Sequence, residues 1–178
     1  FKESDRLSGI FQQALAEVHE ALTAHPVSSH LLNHIASALH GLEELPSLRV
    51  RVENQELSAV QATEAYSRLI HEFITVVFDA ADTAVDPNIA GLLVAMVHLM
   101  NGKEFCGQER AVGSAGFSSG HFDSALSKRM MHLVEAQERC FEVFVSFAND
   151  DCRELWHALR ANDRETETKR LRQLGCSV

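Results

Sequence analysis

The sequence lacks the features that mark several large classes of protein. Its 178 residues include only three prolines and nine glycines, and 23% are charged, which excludes collagen-like and low-complexity chains. It has neither a Gly-x-Gly-x-x-Gly strand turn nor a P-loop. No segment alternates apolar and polar residues over the length of a strand. The hydrophobic content of 46% is sufficient for one domain with a substantial core, or for two small fused bundles.

Basic residues are not in excess, and long apolar runs are also missing. The formal net charge of −9 works against nonspecific binding to nucleic acid or to anionic membranes. The longest apolar stretch, Ile89 to Met100, is interrupted by Gly91 and His98 and is shorter than a bilayer span. No signal peptide is visible. We therefore expect a cytoplasmic protein without a membrane partner, in which any anion site is built from a few arginines.

Cysteine pairs are missing as well, because the four cysteines lie far apart: Cys106, Cys140, Cys152 and Cys176. This spacing indicates free thiols in a reducing compartment rather than a disulfide framework. The cysteines lie within helical patterns and have no clear histidine partner, so the sequence does not indicate a nucleophile. His121 follows several serines, but neither oxyanion donors nor an orienting acid can be identified for it. We predict that the protein is not an enzyme.

Ten histidines raise the question of a metal site. His30 and His34 share one helical face, and Glu154 and His157 have Glu-x-x-His spacing. A di-iron carboxylate bundle needs two such Glu-x-x-His pairs and a glutamate on each of two further helices. Because only one pair is present, we predict surface or core histidines, no metal site and no cofactor. A di-metal oxidase bundle is the alternative that bound iron or manganese would indicate.

What the sequence does contain is helical periodicity. Apolar residues recur every three or four positions, which is typical of amphipathic helices. We predict an all-α fold of seven or eight helices, joined by short turns and packed as antiparallel bundles. The predicted helices are Ser4 to Thr23, Ser28 or Ser29 to Leu42, Ser47 to Asn54, Ala59 to Asp82, Asn88 towards Gly113, Ser124 to Ala148, one capped by Asn149 to Asp151 that ends at Ala161, and one from Asp163 to Gly175.

Several helix starts have specific signals. Ser58 and Gln61 have the spacing of a capping box. Asp86 followed by Pro87 is typical of an N-cap with proline at the first helical position, and Asp123 is a further N-cap. Pro46 is placed in the first turn of its own short helix, where proline is tolerated.

The stretch from Lys103 to Phe122 combines clustered glycines with a single arginine, Arg110. We predict that most of the glycines end a helix and form a tight turn before Asp123. The neighbours of Arg110 one turn away are small, so another helix can pack close and leave the arginine facing an interhelical seam. Glu109 lies about 100° around the helix and is poorly placed to neutralise Arg110.

An arginine in such a seam needs a counter-ion, because an unpaired buried charge is very costly. The counter-ion is either a carboxylate of the protein or a bound oxyanion, whose planar shape a guanidinium matches with two hydrogen bonds. Arg170 and Arg172 lie on the last helix, where the simplest role is interaction with the C-terminal end of the helix dipole. The residues alone leave these alternatives open.

Several spaced segments carry motifs that occur together in one family. KEFCGQERAVGSAGFSSGHF contains Lys-Glu, Gly-x-Glu-Arg-Ala and Phe-x-x-Gly-x-Phe. LPSLRVRVENQELSAVQATEAYSRLI contains Leu-Pro-x-Leu-Arg, Leu-Ser-Ala and Tyr-x-x-Leu-Ile. FDSALSKRMMHLVEAQERCFEVF and ETETKRLRQL also fit. Over nearly its whole length the sequence resembles the nitrate- and nitrite-sensing (NIT) domain.

The resemblance implies two four-helix bundles, with the first helix incomplete here, and nitrate or nitrite bound between them by arginines. Matched residue by residue, Arg110 is the arginine of Gly-x-Glu-Arg-Ala. Arg170 matches an arginine near the C-terminal end, with Arg172 as the alternative register. The family also has an Arg-Arg-Gly or Arg-Glu-Arg-Gly motif, which we expect to precede Phe1.

The resemblance also implies that residues 1–178 are one sensory domain, a fragment of a longer bacterial regulator. We expect its last helix to transmit ligand occupancy to an output domain, first of all an RNA-binding antitermination domain. We expect a homodimer in which this domain itself does not contact nucleic acid. The alternative is a ligand-free helical scaffold or dimerisation module whose arginines pair with carboxylates.

Overall fold

The computed structural model describes residues 6, 9, 10, 13, 29–160 and 164–176, and the predicted helix Ser4 to Thr23 lies mostly outside them. The all-α prediction is confirmed, since the described residues form helices and short connections, with no strand among them. Six helices are described: α1 (Ser29–Glu53), α2 (Ala59–Thr83), α3 (Pro87–Ser119), α4 (Ser124–Phe147), α5 (Asp150–Arg160) and α6 (Arg164–Cys176).

Short connections make consecutive long helices antiparallel neighbours, as predicted for bundles. Helix α3 packs against both α2 and α4, α1 packs on α2, and α6 packs on α4. Between α3, α4 and α5 lies a core cluster in which Ala95, Phe144 and Ala148 are buried. Trp156 of α5 covers it, with its ring centroid 5.4 Å from that of Phe144.

The helix starts predicted from the caps at Ser58, Asp86 and Asp123 are confirmed. At α2 the Ser58 side chain accepts a hydrogen bond from the backbone of Gln61, and the Gln61 side chain accepts one from the backbone of Ser58. Asp86 caps α3 with Pro87 in its first turn, and Asp123 caps α4. These side chains satisfy backbone N–H groups that have no partner within the helix, which fixes where each helix begins.

The prediction of a separate short helix, Ser47 to Asn54, is wrong. Helix α1 continues through Pro46 without a break. The proline is exposed, so the carbonyl that loses its helical hydrogen bond faces water. Leu42, Leu45 and Leu48 are partly buried before and after the proline, and their packing holds the helix together across it.

The predicted helix end near Gly113 is also wrong, because α3 runs on to Ser119. Gly113 and Gly116 are buried inside this helix and do not form a turn. Only Gly120 ends it, in the left-handed conformation with φ of 68°. Its N–H donates to the carbonyls at the end of α3, which is a common helix termination.

Gly175, predicted to end the last helix, lies within α6, which continues to Cys176. Gly175 is buried, and a Cβ there would overlap the side chains of Met130 and Phe122. The glycine is therefore explained by the close approach of α6 to α4. The predicted start of this helix at Asp163 lies outside the described residues.

Two glycines of α3 have the same role. A Cβ at Gly102 would overlap the ring of Phe141 on α4. A Cβ at Gly116 would overlap the ring of Phe122, which lies just before α4. Two glycines of the cluster that suggested a turn thus form close contacts with aromatic rings.

We expect Gly116→Ala to destabilise the protein by about 1–2 kcal/mol, because overpacking against Phe122 outweighs the gain in helix propensity. Gly107→Ala is the matched control, since a Cβ there meets nothing within 4 Å. It should stabilise the same helix by about 0.5–1 kcal/mol. Urea unfolding measures both changes, and equal effects at the two sites would refute the packing role.

One helix in the described part of the chain, α3, is long and apolar enough to cross a membrane. The apolar stretch Ile89 to Met100, which by itself is shorter than a bilayer span, is part of this longer helix. The test considers only length and composition, which core helices of bundles also satisfy. Here α3 packs against α2 and α4 and places a carboxylate, Glu109, among its buried residues.

Candidate anion-binding site

A cleft of about 700 Å³ lies where α3, α4 and α6 meet. Its lining comes from the C-terminal half of α3, from α6 and, at Met130, from α4. The lining residues are Cys106, Glu109, Arg110, Gly113, Ser114, Phe117, Ser118, Met130, Thr168, Leu171 and Arg172. The cleft therefore has two arginines, one carboxylate, three hydroxyls and an apolar base.

Arg110 projects from α3 at this cleft and is exposed. Its guanidinium makes no hydrogen bond or ion pair with any described residue. Ser114 and Ser118 line the cleft one and two turns further along the same helix, so their hydroxyls lie on the same side as Arg110. The sequence prediction of an arginine facing an interhelical seam is close to this arrangement, but the seam is open to solvent.

Arg172 enters the same cleft from α6 and is largely buried, with 20% of its side chain exposed. Its Nε donates to Oε1 of Glu109 over 2.7 Å, and its Nη2 donates to Oε2 over 2.8 Å. This is the paired, parallel geometry in which guanidinium and carboxylate interact most strongly. The charge of Arg172 is thus compensated by Glu109, the residue judged unable to neutralise Arg110.

Gln137 of α4 completes this ion pair and is almost fully buried. Its amide Nε2 donates to Glu109, and its Oε1 accepts from Nη2 of Arg172 over 2.9 Å. The same oxygen accepts from the thiol of Cys106 over 2.7 Å. Every polar group of this buried cluster therefore has a partner, which a buried ion pair requires.

The protonation states follow from these contacts. Burial raises the pKa of Glu109, but hydrogen bonds from Arg172 and Gln137 outweigh burial and hold this pKa below its ordinary value. The hydrogen bond to Glu109 raises the pKa of Arg172. Burial raises the pKa of the Cys106 thiol, so this cysteine is a poor nucleophile.

Arg170 does not line the cleft. It is exposed on α6, and its Nε and Nη2 donate to the two carboxylate oxygens of Glu167 over 2.8 and 2.7 Å. Of the three arginines identified from the sequence, the structure brings Arg110 and Arg172 together and leaves Arg170 on another face of α6.

Glu109 and Gln137 were not identified from the sequence as parts of this site. One signal was available, because Gln137 continues the inward stripe of Met130, Leu133 and Phe144 on α4. A polar residue at such a position needs a buried partner. No comparable signal links Glu109 to Arg172, which lies 63 residues away.

Taken together, the charges leave a cleft suited to a small anion. Glu109 neutralises Arg172, and Arg110 adds a positive charge without a counter-charge among the described residues. The hydroxyls of Ser114 and Ser118 on α3 also line the cleft and are hydrogen-bond donors by type.

Comparison with known proteins identifies the family of the chain. The family described as "Nitrate and nitrite sensing" (NIT) matches residues 3–175. The chain is 35% identical over 150 residues to the nitrate regulatory protein of Klebsiella oxytoca, covering 84% of this chain and 37% of that protein. The resemblance seen in the motifs is thereby confirmed.

A solved structure of the NasR transcription antiterminator has the same fold, with a TM-score of 0.79 and 33% sequence identity. The match covers 95% of this chain and 46% of that one. The chain thus spans less than half the length of either relative. From the match along nearly its whole length, the chain belongs to the nitrate- and nitrite-sensing (NIT) family.

Proposed function

We propose that this chain is the nitrate- or nitrite-binding sensory domain of a cytoplasmic bacterial regulator, and that it binds the anion in the cleft between α3 and α6. The observation that carries the proposal is Arg110. It lies at a cleft with hydroxyl donors, and its charge has no counter-charge among the described residues. A bound anion would supply the missing negative charge.

Arg110 is the primary contact in this proposal, because both edges of its guanidinium are available. Arg172 has Nε and Nη2 committed to Glu109, so only Nη1, 3.8 Å from Glu138, is left for an anion. Arg170 would have to exchange Glu167 for the anion and move towards the cleft. The arginines expected before Phe1 would complete the ligand shell.

Signal transmission would follow from the two sides of the cleft. Arg110 belongs to α3, whereas Arg172 belongs to α6, the last helix described. An anion between them favours the arrangement in which the helices are close, and a ligand shifts an equilibrium only by such differential affinity. We propose that α6 passes this shift to an output domain, most simply one for transcription antitermination as in NasR, within a homodimer.

One observation favours the alternative of a ligand-free helical scaffold. Arg172 and Arg170 are already paired with carboxylates, as a purely structural role requires. Arg110 is the residue that separates the two proposals, because the sensor proposal requires it for anion binding, whereas in a scaffold it is a solvated surface charge.

Thermal unfolding in nitrate, nitrite and chloride at equal ionic strength tests the sensor proposal. A ligand at a hundred times its dissociation constant stabilises the folded state by about 2.7 kcal/mol, which raises Tm by roughly 5–10 °C for a domain of this size. We expect this shift with nitrate or nitrite in a form that carries the arginine motif preceding Phe1, and a smaller one with residues 1–178. A response equal to that of chloride in both forms would refute the proposal.

A further inference from the structure

A second cluster of polar side chains lies away from the cleft, where the start of α1 packs on the end of α2. His30 and His34 lie one turn apart on α1, with ring centroids 4.4 Å apart. Asp79 of α2 faces both and is buried, with 8% of the residue exposed. Among the described residues, the hydrogen-bond partners of the Asp79 carboxylate are these two imidazoles.

The three ligand atoms converge on one point. Nδ1 of His30 lies 3.1 Å from Oδ2 of Asp79, and Nδ1 of His34 contacts the same oxygen. All three atoms lie within 4.8 Å of one another. Ligand atoms around a tetrahedral zinc ion, with bonds of about 2.0–2.1 Å, lie roughly 3.3 Å apart. A small rotation of the side chains therefore places a metal ion between them.

We propose that His30, His34 and Asp79 form a binding site for a divalent transition-metal ion of the zinc class. Two imidazole nitrogens and one carboxylate oxygen form a donor set that binds such ions in preference to Mg²⁺ or Ca²⁺. Those two ions need more oxygen ligands. His30 is exposed, with 71% of its side chain accessible, so the fourth position opens to water.

The metal would join α1 to α2 across a long sequence separation. From the sequence we predicted no metal site, because only one Glu-x-x-His pair is present. Asp79 lies 45 residues from His34, and only the packing of α1 on α2 brings it there. The site is independent of the proposed anion cleft, since Asp79 adjoins the start of α3, and Arg110 lies near the other end of that helix.

Calorimetric titration of the untagged, metal-free chain with Zn²⁺ tests the proposal. We expect one ion per chain and a rise in Tm of roughly 5–10 °C at a hundredfold excess of free metal over Kd. Co²⁺ at the same site should show the visible absorption of a tetrahedral complex. Because Zn²⁺ titration does not involve nitrate, failure here leaves the sensor proposal unaffected, and the reverse also holds.

Variants identify the ligands. His30→Ala changes an exposed side chain, so the fold should persist. Its affinity for Zn²⁺ should fall at least about tenfold, and that of Asp79→Asn should fall further. His40→Ala is the matched control, since His40 is an exposed histidine on the same helix. Cys152→Ser is a second control, which tests whether an exposed thiolate binds the Zn²⁺ instead. Unchanged affinity in His30→Ala, or loss in either control, would overturn the proposal. The absence of one-to-one Zn²⁺ binding would also overturn it, and the three residues would then be a hydrogen-bonded His–Asp cluster without a metal.

Discussion

Replacing Arg110 with alanine is expected to abolish the nitrate response without unfolding the protein. Hydrogen bonds to charged groups contribute about 1.5–3 kcal/mol each, so losing a paired contact weakens binding by roughly a hundredfold or more. Stability without ligand should change by less than about 0.5 kcal/mol, because Arg110 is exposed and has no described partner to lose. Titration calorimetry measures the affinity, and circular dichroism follows the fold.

Arg139→Ala is the matched control for this experiment. Arg139 is an exposed arginine on α4 that does not line the cleft, and its ion pair with Glu135 spans 3.8 Å. This variant should retain the nitrate affinity of the unmodified protein. The nitrate affinity of Arg110→Lys should lie between those of Arg110→Ala and Arg139→Ala, because lysine keeps the charge but lacks the planar pair of donors. A normal response in Arg110→Ala would exclude this arginine from the site.

The second large effect is expected from Glu109→Gln, which should destabilise the fold by about 2–3 kcal/mol. The change removes the paired contact and the nearer counter-charge of Arg172, whose side chain is 20% exposed, while Glu138, 3.8 Å from its Nη1, keeps part of the compensation. Chemical denaturation measures the loss. Glu167→Gln breaks the exposed pair with Arg170 and should have little effect, since water screens such pairs.

A double variant, Glu109→Gln with Arg172→Met, separates the missing charge from the missing contact. Removing both charges should recover part of the stability lost by Glu109→Gln alone, because no buried ion is left without a partner. If the double variant is as unstable as the sum of the two single variants, the ion pair is not coupled and this account is wrong.

The same pair predicts how stability depends on pH. The pKa of Glu109 in the folded protein lies below its ordinary value of 4.5. Its ion pair therefore stabilises the fold fully above about pH 4.5 and loses this effect as the pH falls through the folded pKa. The stability difference between the unmodified protein and Glu109→Gln should shrink in that acidic window. A difference that stays constant below pH 4 would contradict this prediction.

Local signals in the sequence were sufficient for most helix boundaries. The capping box at Ser58 and the caps at Asp86 and Asp123 place helix starts because each depends on residues within one turn. Predictions from single prolines and glycines failed at Pro46, Gly113 and Gly175. A local penalty for these residues was outweighed by burial of the helix faces around them.

In the candidate site, too, local sequence motifs were predictable and contacts between distant residues were not. The motif around Arg110 was sufficient to identify the family and to single out this arginine, since both depend on residues close together in the chain. The pairing of Arg172 with Glu109 depends on α6 packing on α4, which brings Arg172 to Glu109 of α3. The position of Asp79 between His30 and His34 likewise depends on the packing of α1 on α2.

The sequence by itself thus determined the all-α class, the main helix starts and the family. These follow from periodicity, caps and motifs, which act over a few residues. Only the tertiary structure decided which charges neutralise each other, because opposite charges interact strongly only at contact distance. That distance is set by how the helices pack, with glycines such as Gly116 and Gly175 admitting the rings and side chains that bring α3, α4 and α6 together.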